Sequence, residues 1–242
     1  MTTQDTSAPA PTNGKYQYSK PSFNGELVLN TEKAKAFGGN RFDQVMTGLF
    51  IIDVVARQLA KNLKTYDHKA VAAAVSTKIG EVEKIVSDET ARITALLGPR
   101  AEKLPNYSNP LVRSYEITSP EIARFARLLS DFDKLMMLID VGWLDELIES
   151  DDADQFREEK ERQIQRLIRY LYGTGQSARS KAYASKSAEA AQLKADIEKA
   201  EAREQVSKNE RAAAGILEPK ELDAIEQIEA HDAAHKAENA VA

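Results

Sequence analysis

Two histidines near the C-terminus have the spacing of a metal site. His231 and His235 are four residues apart, which can place two imidazoles on one helix face. Glu229, Asp232 and Glu238 are close enough in the sequence to complete the ligand set of a metal-dependent hydrolase. The surrounding segment is rich in Ala and Glu, however, and has no apolar stripe to hold it rigid. A solvated helix face is therefore the preferred interpretation, and the hydrolase is the weakest of three hypotheses.

Carboxylates elsewhere in the chain also lack a catalytic arrangement. In "SDFDK", Asp131 and Asp133 are two residues apart, and side chains at i and i+2 do not face each other on a helix. The sequence has no Walker-type glycine loop, no GxSxG or HExxH motif and no cysteine. We therefore expect a protein that is not an enzyme and that uses no cofactor and no structural metal.

Charge is distributed unevenly along the chain. The net charge is −5 overall, but residues 13–65 carry +4, residues 162–188 carry +6 and residues 189–242 carry −6. A basic body followed by an acidic tail fits a protein that faces a polyanion. Solvated helix faces account for the same pattern, and on charge alone they are slightly preferred.

Composition divides the chain into three parts. Residues 1–20 are polar and rich in Pro, Ala and Thr, which predicts a disordered lead. Residues 21–175 are expected to form a mostly helical domain, and residues 176–242 a charged helical or disordered tail that does not pack firmly. No stretch approaches the roughly 20 apolar residues that a membrane helix needs. We expect a soluble, cytoplasmic protein without membrane contact.

Two short strands are predicted among the helices. Residues 26–31 alternate, with Leu27 and Leu29 on one face, and residues 112–118 form the second candidate. A lone strand leaves its backbone N–H and C=O groups unpaired, so residues 26–31 need a partner. That partner is either a second copy of the same strand or residues 112–118 of the same chain. The predicted fold class is mainly α with one or two short β-strands.

Apolar spacing and capping residues predict the helices. Thr31 and Ser119 have the character of N-caps, and glycines at 38, 98, 173 and 175 have the character of helix terminators. Trp143 is expected in the core, on a short helix of its own. The predicted helices span residues 32–37, 41–63, 68–97, a segment that begins at 120, and 152–172.

Four segments of the chain resemble the AcaB-like family, which is encoded on conjugative plasmids and integrative conjugative elements. They are "GELVLNTEKAKAF" (25–37), "NRFDQVMTGLF" (40–50), "SYEITSPEIARFARLLSDFDKLM" (114–136) and "VGWLDEL" (141–147). The resemblance implies a transcriptional regulator of transfer genes. It also implies a ribbon-helix-helix-like DNA-binding unit near residues 23–63, joined to a helical bundle and a long charged C-terminal helix.

The resemblance further implies how such a protein binds double-stranded DNA. In ribbon-helix-helix proteins one strand from each subunit pairs with its twin, and the ribbon lies in the major groove. We therefore expect a homodimer or higher homo-oligomer. The candidate base-contacting residues are Glu26, Val28 and Asn30, and the alternative is that Asn30 caps a helix and Glu26 is solvated. The candidate phosphate-contacting residues are Lys20, Lys33, Lys35 and Arg41.

A non-catalytic structural or adaptor protein of the conjugation machinery is the alternative hypothesis. In that case the long helices and residues 176–242 bind another protein. Residues 162–188, which carry +6, are then a surface for that partner. For a regulator, the acidic tail has RNA polymerase as a candidate partner.

Overall fold

The computed structural model of the chain describes residues 22–62, 67–184 and 188–213. These ranges are mainly helical, with one two-stranded sheet, which confirms the predicted fold class at this level. The predicted residues Lys20, His231 and His235 lie outside them. In chain order the elements are β1 (Phe23–Leu29), α1 (Glu32–Lys35), α2 (Asn40–Asn62), α3 (His68–Leu97), a 3-10 helix (Gly98–Glu102), β2 (Leu111–Ile117), α4 (Pro120–Leu144), α5 (Ser150–Ala184) and α6 (Ala188–Ala213).

The first strand finds its partner within the same chain. β1 pairs antiparallel with β2, in a register that runs from Phe23 opposite Ile117 to Leu29 opposite Leu111. The expected pairing of this strand with a twin subunit is thereby corrected, and the intrachain alternative is the one observed. A strand from the same chain needs no second molecule, so the loss of translational and rotational freedom on association is avoided. Homodimer formation stays a prediction, but β1 no longer requires it.

Three helices begin at the residues whose side chains cap them. The Oγ1 of Thr31 accepts a hydrogen bond from the N–H of Ala34, and Asp67 accepts from Ala70 in the same way. Ser119 accepts from Ile122, and Pro120 occupies the first turn, where its missing N–H costs nothing. α3 spans residues 68–97, the bounds that the sequence predicts.

Aromatic side chains from α2, β2, α4 and the turn after α1 meet at the centre of the core. Phe37 packs edge-on against Phe132 with ring centroids 5.8 Å apart, and Phe42 stacks on Phe125 at 6.2 Å. Phe42 also meets Tyr115 of β2 edge-on at 5.5 Å. Burial of each such ring stabilises the fold by roughly 1.5–3 kcal/mol. The sheet is therefore joined to α2 and α4 through one continuous apolar cluster.

Helix α5 does not end at its glycines, in contrast to the prediction. It continues through Gly173 and Gly175 to Ala184. A Cβ added to Gly175 would lie 2.7 Å from the Cα of Gly48, so this glycine permits a close crossing of α5 over α2. Trp143 also differs from expectation, because it belongs to α4 and its side chain is 45% exposed.

Helix α6 packs on the body of the protein. It contacts α2 and α5, and Ile197 on its inner face is fully buried. The Nε of Arg179 on α5 lies 2.8 Å from the carboxylate of Glu201 on α6. Packing therefore continues beyond residue 175, where the sequence predicts that the firm body ends. Among the helices of the described ranges, none has an apolar stretch long enough to cross a bilayer.

Candidate nucleic-acid interface

The two strands form a ribbon with one face open to solvent. Alternate residues of each strand point to this face, because directly opposed residues in an antiparallel pair share a side. All six of these side chains are exposed. We call them the outward row: Asn24 opposite Glu116, Glu26 opposite Ser114, and Val28 opposite Val112.

The opposite face of the ribbon is packed on the core. Leu27 and Leu29 are buried, as the alternation predicts. The ring of Tyr115 covers Gly25 on the neighbouring strand, where an added Cβ would lie 2.5 Å from the ring carbon Cζ. Gly25 therefore makes room for the ring, and the ring fixes the register of the two strands.

A buried carboxylate on α4 holds the end of β1. Asp133 is 2% exposed, and its Oδ1 accepts hydrogen bonds from the backbone N–H of Thr31 at 2.8 Å and from its hydroxyl at 2.7 Å. Its Oδ2 accepts from the backbone N–H and the side-chain amide of Asn30, each at 2.9 Å. Four hydrogen bonds thus tie the turn between β1 and α1 to the middle of α4.

A partly buried guanidinium holds β2. Arg113 points away from the outward row, and its Nη2 lies 2.6 Å from the carboxylate of Asp43 at the start of α2. Its Nη1 donates to the carbonyl of Gly38 at 3.0 Å, and its Nη2 also donates to the hydroxyl of Ser207 on α6 at 3.4 Å. The second strand is therefore fastened to both α2 and α6.

The outward row has carboxylates but no cation of its own. A cation reaches it from α6, because Nη1 of Arg203 lies 2.9 Å from the carboxylate of Glu116. The side chain of Arg203 is 65% exposed, so the guanidinium sits at the border between the ribbon and solvent. The charge beside the outward row is therefore set partly by a helix far along the chain.

One carboxyl of α6 has a perturbed proton affinity. Burial is the main cause that raises the pKa of Glu204, and the nearby carboxylates of Asp43 and Glu201 raise it further. A hydrogen bond with the side chain of Thr47 and the charge of Lys208 act in the opposite direction. Among the described residues, no group of three or more His, Asp or Glu side chains has the arrangement of a metal site.

The predicted base-contacting residues separate in the structure. Glu26 and Val28 lie in the outward row, as expected. Asn30 does not, because it follows the end of β1 and its amide donates to Asp133. The hydrogen-bonding capacity of Asn30 is used to hold the turn, which corrects its predicted outward orientation.

The three predicted phosphate-contacting residues within the described ranges lie in α1 or at the start of α2. The Nζ of Lys33 lies 2.6 Å from Glu161 of α5, and that of Lys35 lies 2.6 Å from Glu32. Arg41 is partly buried in the first turn of α2. Both lysines already have carboxylate partners, so they add less positive charge to this side than the sequence suggests.

Sequence reasoning missed four of the six residues of the outward row, and one of them, Asn24, precedes the predicted strand 26–31. Val112, Ser114 and Glu116 come from β2, and the alternation of residues 112–118 carries the signal that identifies them. Asp133 and Arg203 were also missed. Their contacts lie 102 and 87 residues away in sequence, and no local pattern marks a contact of that separation.

One solved structure shares this architecture. The chain is similar to the crystal structure of selenomethionine-containing AcaB from uropathogenic E. coli, with a TM-score of 0.62 and 26% sequence identity. The match covers 68% of this chain and 84% of that one. The chain has an AcaB-like fold. No protein-family model matches the sequence, and no curated protein matches it either.

Proposed function

We propose that the protein is a sequence-specific DNA-binding transcriptional regulator of conjugative transfer genes. In this proposal the ribbon of β1 and β2 enters the major groove, and the outward row contacts base edges. The resemblance of four sequence segments to the AcaB-like family supports the assignment, as does the AcaB-like fold. The ribbon comes from one chain, so one copy carries a complete groove-binding element.

The observation that carries the proposal is the exposed outward row on a firmly held ribbon. The major groove admits a two-stranded ribbon, and the row offers several groups that suit base edges. The carboxylate of Glu26 can accept from the amino group of cytosine, and the amide of Asn24 suits adenine. The methyl groups of Val28 and Val112 suit the thymine methyl group, and the hydroxyl of Ser114 is free to donate or accept.

Base recognition also requires that the ribbon keep its position. The turn after β1 is tied to α4 by Asp133, and β2 is tied to α2 by Arg113. Interfaces whose contacting groups are held in place lose less conformational entropy on binding. The ribbon is thus prepared for recognition without rearrangement.

A binding assay on upstream regions of the host element tests the proposal. Labelled duplexes from these regions are compared with scrambled duplexes of the same length, at low and moderate salt. The cross-strand variant Glu26→Ala/Ser114→Ala should lose the preference for the specific duplex and keep binding to the scrambled one. The loss expected for one or two base contacts is about 1–3 kcal/mol each.

The matched control removes the same chemical groups elsewhere. Ser87→Ala/Asp88→Ala deletes one hydroxyl and one carboxylate from an exposed part of α3. This control should keep the preference of the natural protein. Absence of any DNA retention by the natural protein at low salt would overturn the proposal.

A second candidate function is an adaptor of the conjugation machinery, and an exposed apolar surface favours it. Trp143 and Leu144 end α4 and Leu147 follows three residues later, and these side chains are 45%, 60% and 40% exposed. Exposed apolar groups that lie together are typical of protein-binding surfaces. For an adaptor, Trp143→Ser/Leu144→Ser should abolish capture of a transfer protein and leave DNA binding unchanged.

A further inference from the structure

Helix α5 carries three arginines along one exposed face. Arg162, Arg166 and Arg169 are spaced by four and three residues, so they share a side of the helix, and all three are exposed. We call them the arginine stripe. It is about 10 Å long at the helical rise of 1.5 Å per residue. No acidic residue occurs from Arg162 to Ala184, so the carboxylates of α5 nearest to the stripe, Glu158, Glu159 and Glu161, all precede it.

The cations just before the stripe form ion pairs within the fold, whereas the first two arginines of the stripe do not. Arg157 is paired with Asp140 at 2.7 Å, and Lys160, 4% exposed, is paired with Glu89 at 3.0 Å. In the described ranges neither Arg162 nor Arg166 makes an ion pair or a side-chain hydrogen bond. Ion pairing within the described ranges therefore does not explain why these two positions carry guanidinium groups.

The face of α5 beyond the stripe carries small residues and has little side-chain relief, and we call it the flat face. A Cβ added to Gly173 would meet no atom within 4 Å, whereas one added to Gly175 would strike α2. Glycine destabilises a helix interior relative to alanine, and no packing against the residues that the structure describes requires it at position 173. The exposed residues Ser177 and Ser180 continue this small-residue surface. A large partner can thus approach the helix backbone closely here.

We propose that the arginine stripe and the flat face beyond it bind the phosphate backbone of duplex DNA beside the ribbon. Each strand of duplex DNA carries about one phosphate charge per 3.4 Å of axis, so a 10 Å stripe along one strand meets about three phosphates. Arginine binds phosphate through two parallel hydrogen bonds, which suits a regular row of these groups. An anionic membrane surface fits less well, because small residues rather than large apolar ones continue the face beyond the stripe.

The first residue of the stripe, Arg162, directly follows a residue of α5 that is paired with α1. Glu161 directly precedes Arg162, and its carboxylate binds Lys33 of α1 at 2.6 Å. α1 starts three residues after β1 ends. The Lys33–Glu161 pair therefore connects the helix that follows β1 to α5 one residue before the stripe begins. The inference rests on the proposed function, and it assigns the phosphate contacts to α5 rather than to Lys33 and Lys35.

The test compares two charge-matched variants of the full chain. Arg162→Gln/Arg166→Gln removes two charges from the stripe, and Lys69→Gln/Lys84→Gln removes two from exposed positions on α3. Dissociation constants are measured by fluorescence anisotropy for a specific and a scrambled duplex over a range of salt concentrations. Thermal unfolding confirms that each variant folds.

The stripe variant should lose about tenfold or more in affinity for both duplexes alike, because phosphate contacts carry no sequence information. The slope of log K against log salt is negative, and its magnitude should decrease by about 1.8 for two lost contacts. The α3 control should keep the natural affinity and slope. Gly173→Glu, which places a carboxylate beside the stripe, should weaken binding in the same uniform way.

Each of the other outcomes contradicts the stripe proposal, the ribbon proposal or both. If the stripe variant and Gly173→Glu bind as the natural protein does, the stripe proposal is wrong while sequence preference can still support the ribbon. If the stripe variant weakens binding and Glu26→Ala/Ser114→Ala leaves the preference intact, the ribbon proposal fails and the stripe stands. If the natural protein binds anionic vesicles and neither duplex, both fail.

Discussion

The two strands of the ribbon are fastened to the protein in different ways. β1 ends in a turn that is held by the buried carboxylate of Asp133, which is 2% exposed. β2 is held by Arg113 and by the pair of Glu116 with Arg203, whose side chain is 65% exposed. The first attachment lies inside the core, and part of the second depends on α6, which follows more than seventy residues later.

This difference assigns separate roles to the two halves of the ribbon. The turn after β1 is held mainly by Asp133 of α4, while the pair of Lys33 with Glu161 adds a link from α1 to α5. The position of β2 is coupled to the docking of α6 through Ser207 and Arg203. Loosening of α6 should therefore disturb β2 first and β1 little. Local opening of this kind is measurable by hydrogen exchange.

The largest effect is expected from the buried carboxylate. Asp133→Ala leaves the donors of Asn30 and Thr31 without an acceptor in a buried site, and we expect a loss of about 3–5 kcal/mol in the free energy of unfolding. Urea denaturation measures it. Asp131→Ala, an exposed carboxylate on the same helix, is the control and should change stability by less than about 0.5 kcal/mol. Equal effects at both positions would remove the distinction between the two attachments.

The next effect is expected on the other strand. Arg113→Met keeps much of the apolar stem but removes the partner of Asp43 and of the Gly38 carbonyl, which should cost about 2–3 kcal/mol. Hydrogen exchange should show faster opening in β2 and at the start of α2. If β1 opened to the same extent, the two strands would be one unit, and the proposed separation would be incorrect.

A smaller effect is expected at the border with solvent. Arg203→Gln removes an exposed ion pair, and such pairs contribute about 0–1 kcal/mol. Global stability should therefore hardly change, while exchange of the amides of α6 and β2 becomes faster. An exposed substitution on the same helix, Asn209→Ala, should leave both unchanged.

The smallest effect on stability is expected from the titration of Glu204. Because burial raises the pKa of Glu204 in the folded state, the folded protein binds more protons than the unfolded one just above the ordinary pKa of 4.5. The contribution of this group to stability should therefore rise as the pH falls through the folded-state pKa. Glu204→Gln should be slightly more stable than the natural protein near pH 7 and should lose this part of the pH dependence. Thermal unfolding between pH 4.5 and 7 measures both effects.

Local features of the sequence predicted much of the fold. The apolar spacing and Gly98 gave α3 its bounds, and Ser119 with Pro120 placed the start of α4. Leu27 and Leu29 were identified as the inner face of β1, which left Glu26 and Val28 outside. These features depend on a few neighbouring residues, so a single sequence contains them.

Contacts between distant segments were not predictable in this way. Alternation indicates a strand without indicating which strand completes it, so the partner of β1 stayed open. Glycine both ends helices and permits close crossings, and at Gly175 only the position of Gly48 distinguishes the two. Asn30 has the residue type of a base contact, and its actual bond depends on Asp133, 103 residues away.

The ribbon has a consequence for the kind of target that the protein would select. A ribbon made from two copies of one strand is symmetric, and its operators are palindromic for that reason. β1 and β2 have different sequences, with Asn24, Glu26 and Val28 facing Glu116, Ser114 and Val112. The stretch of duplex that one such ribbon contacts should therefore lack dyad symmetry, and it would give that copy of the protein a single direction along the promoter.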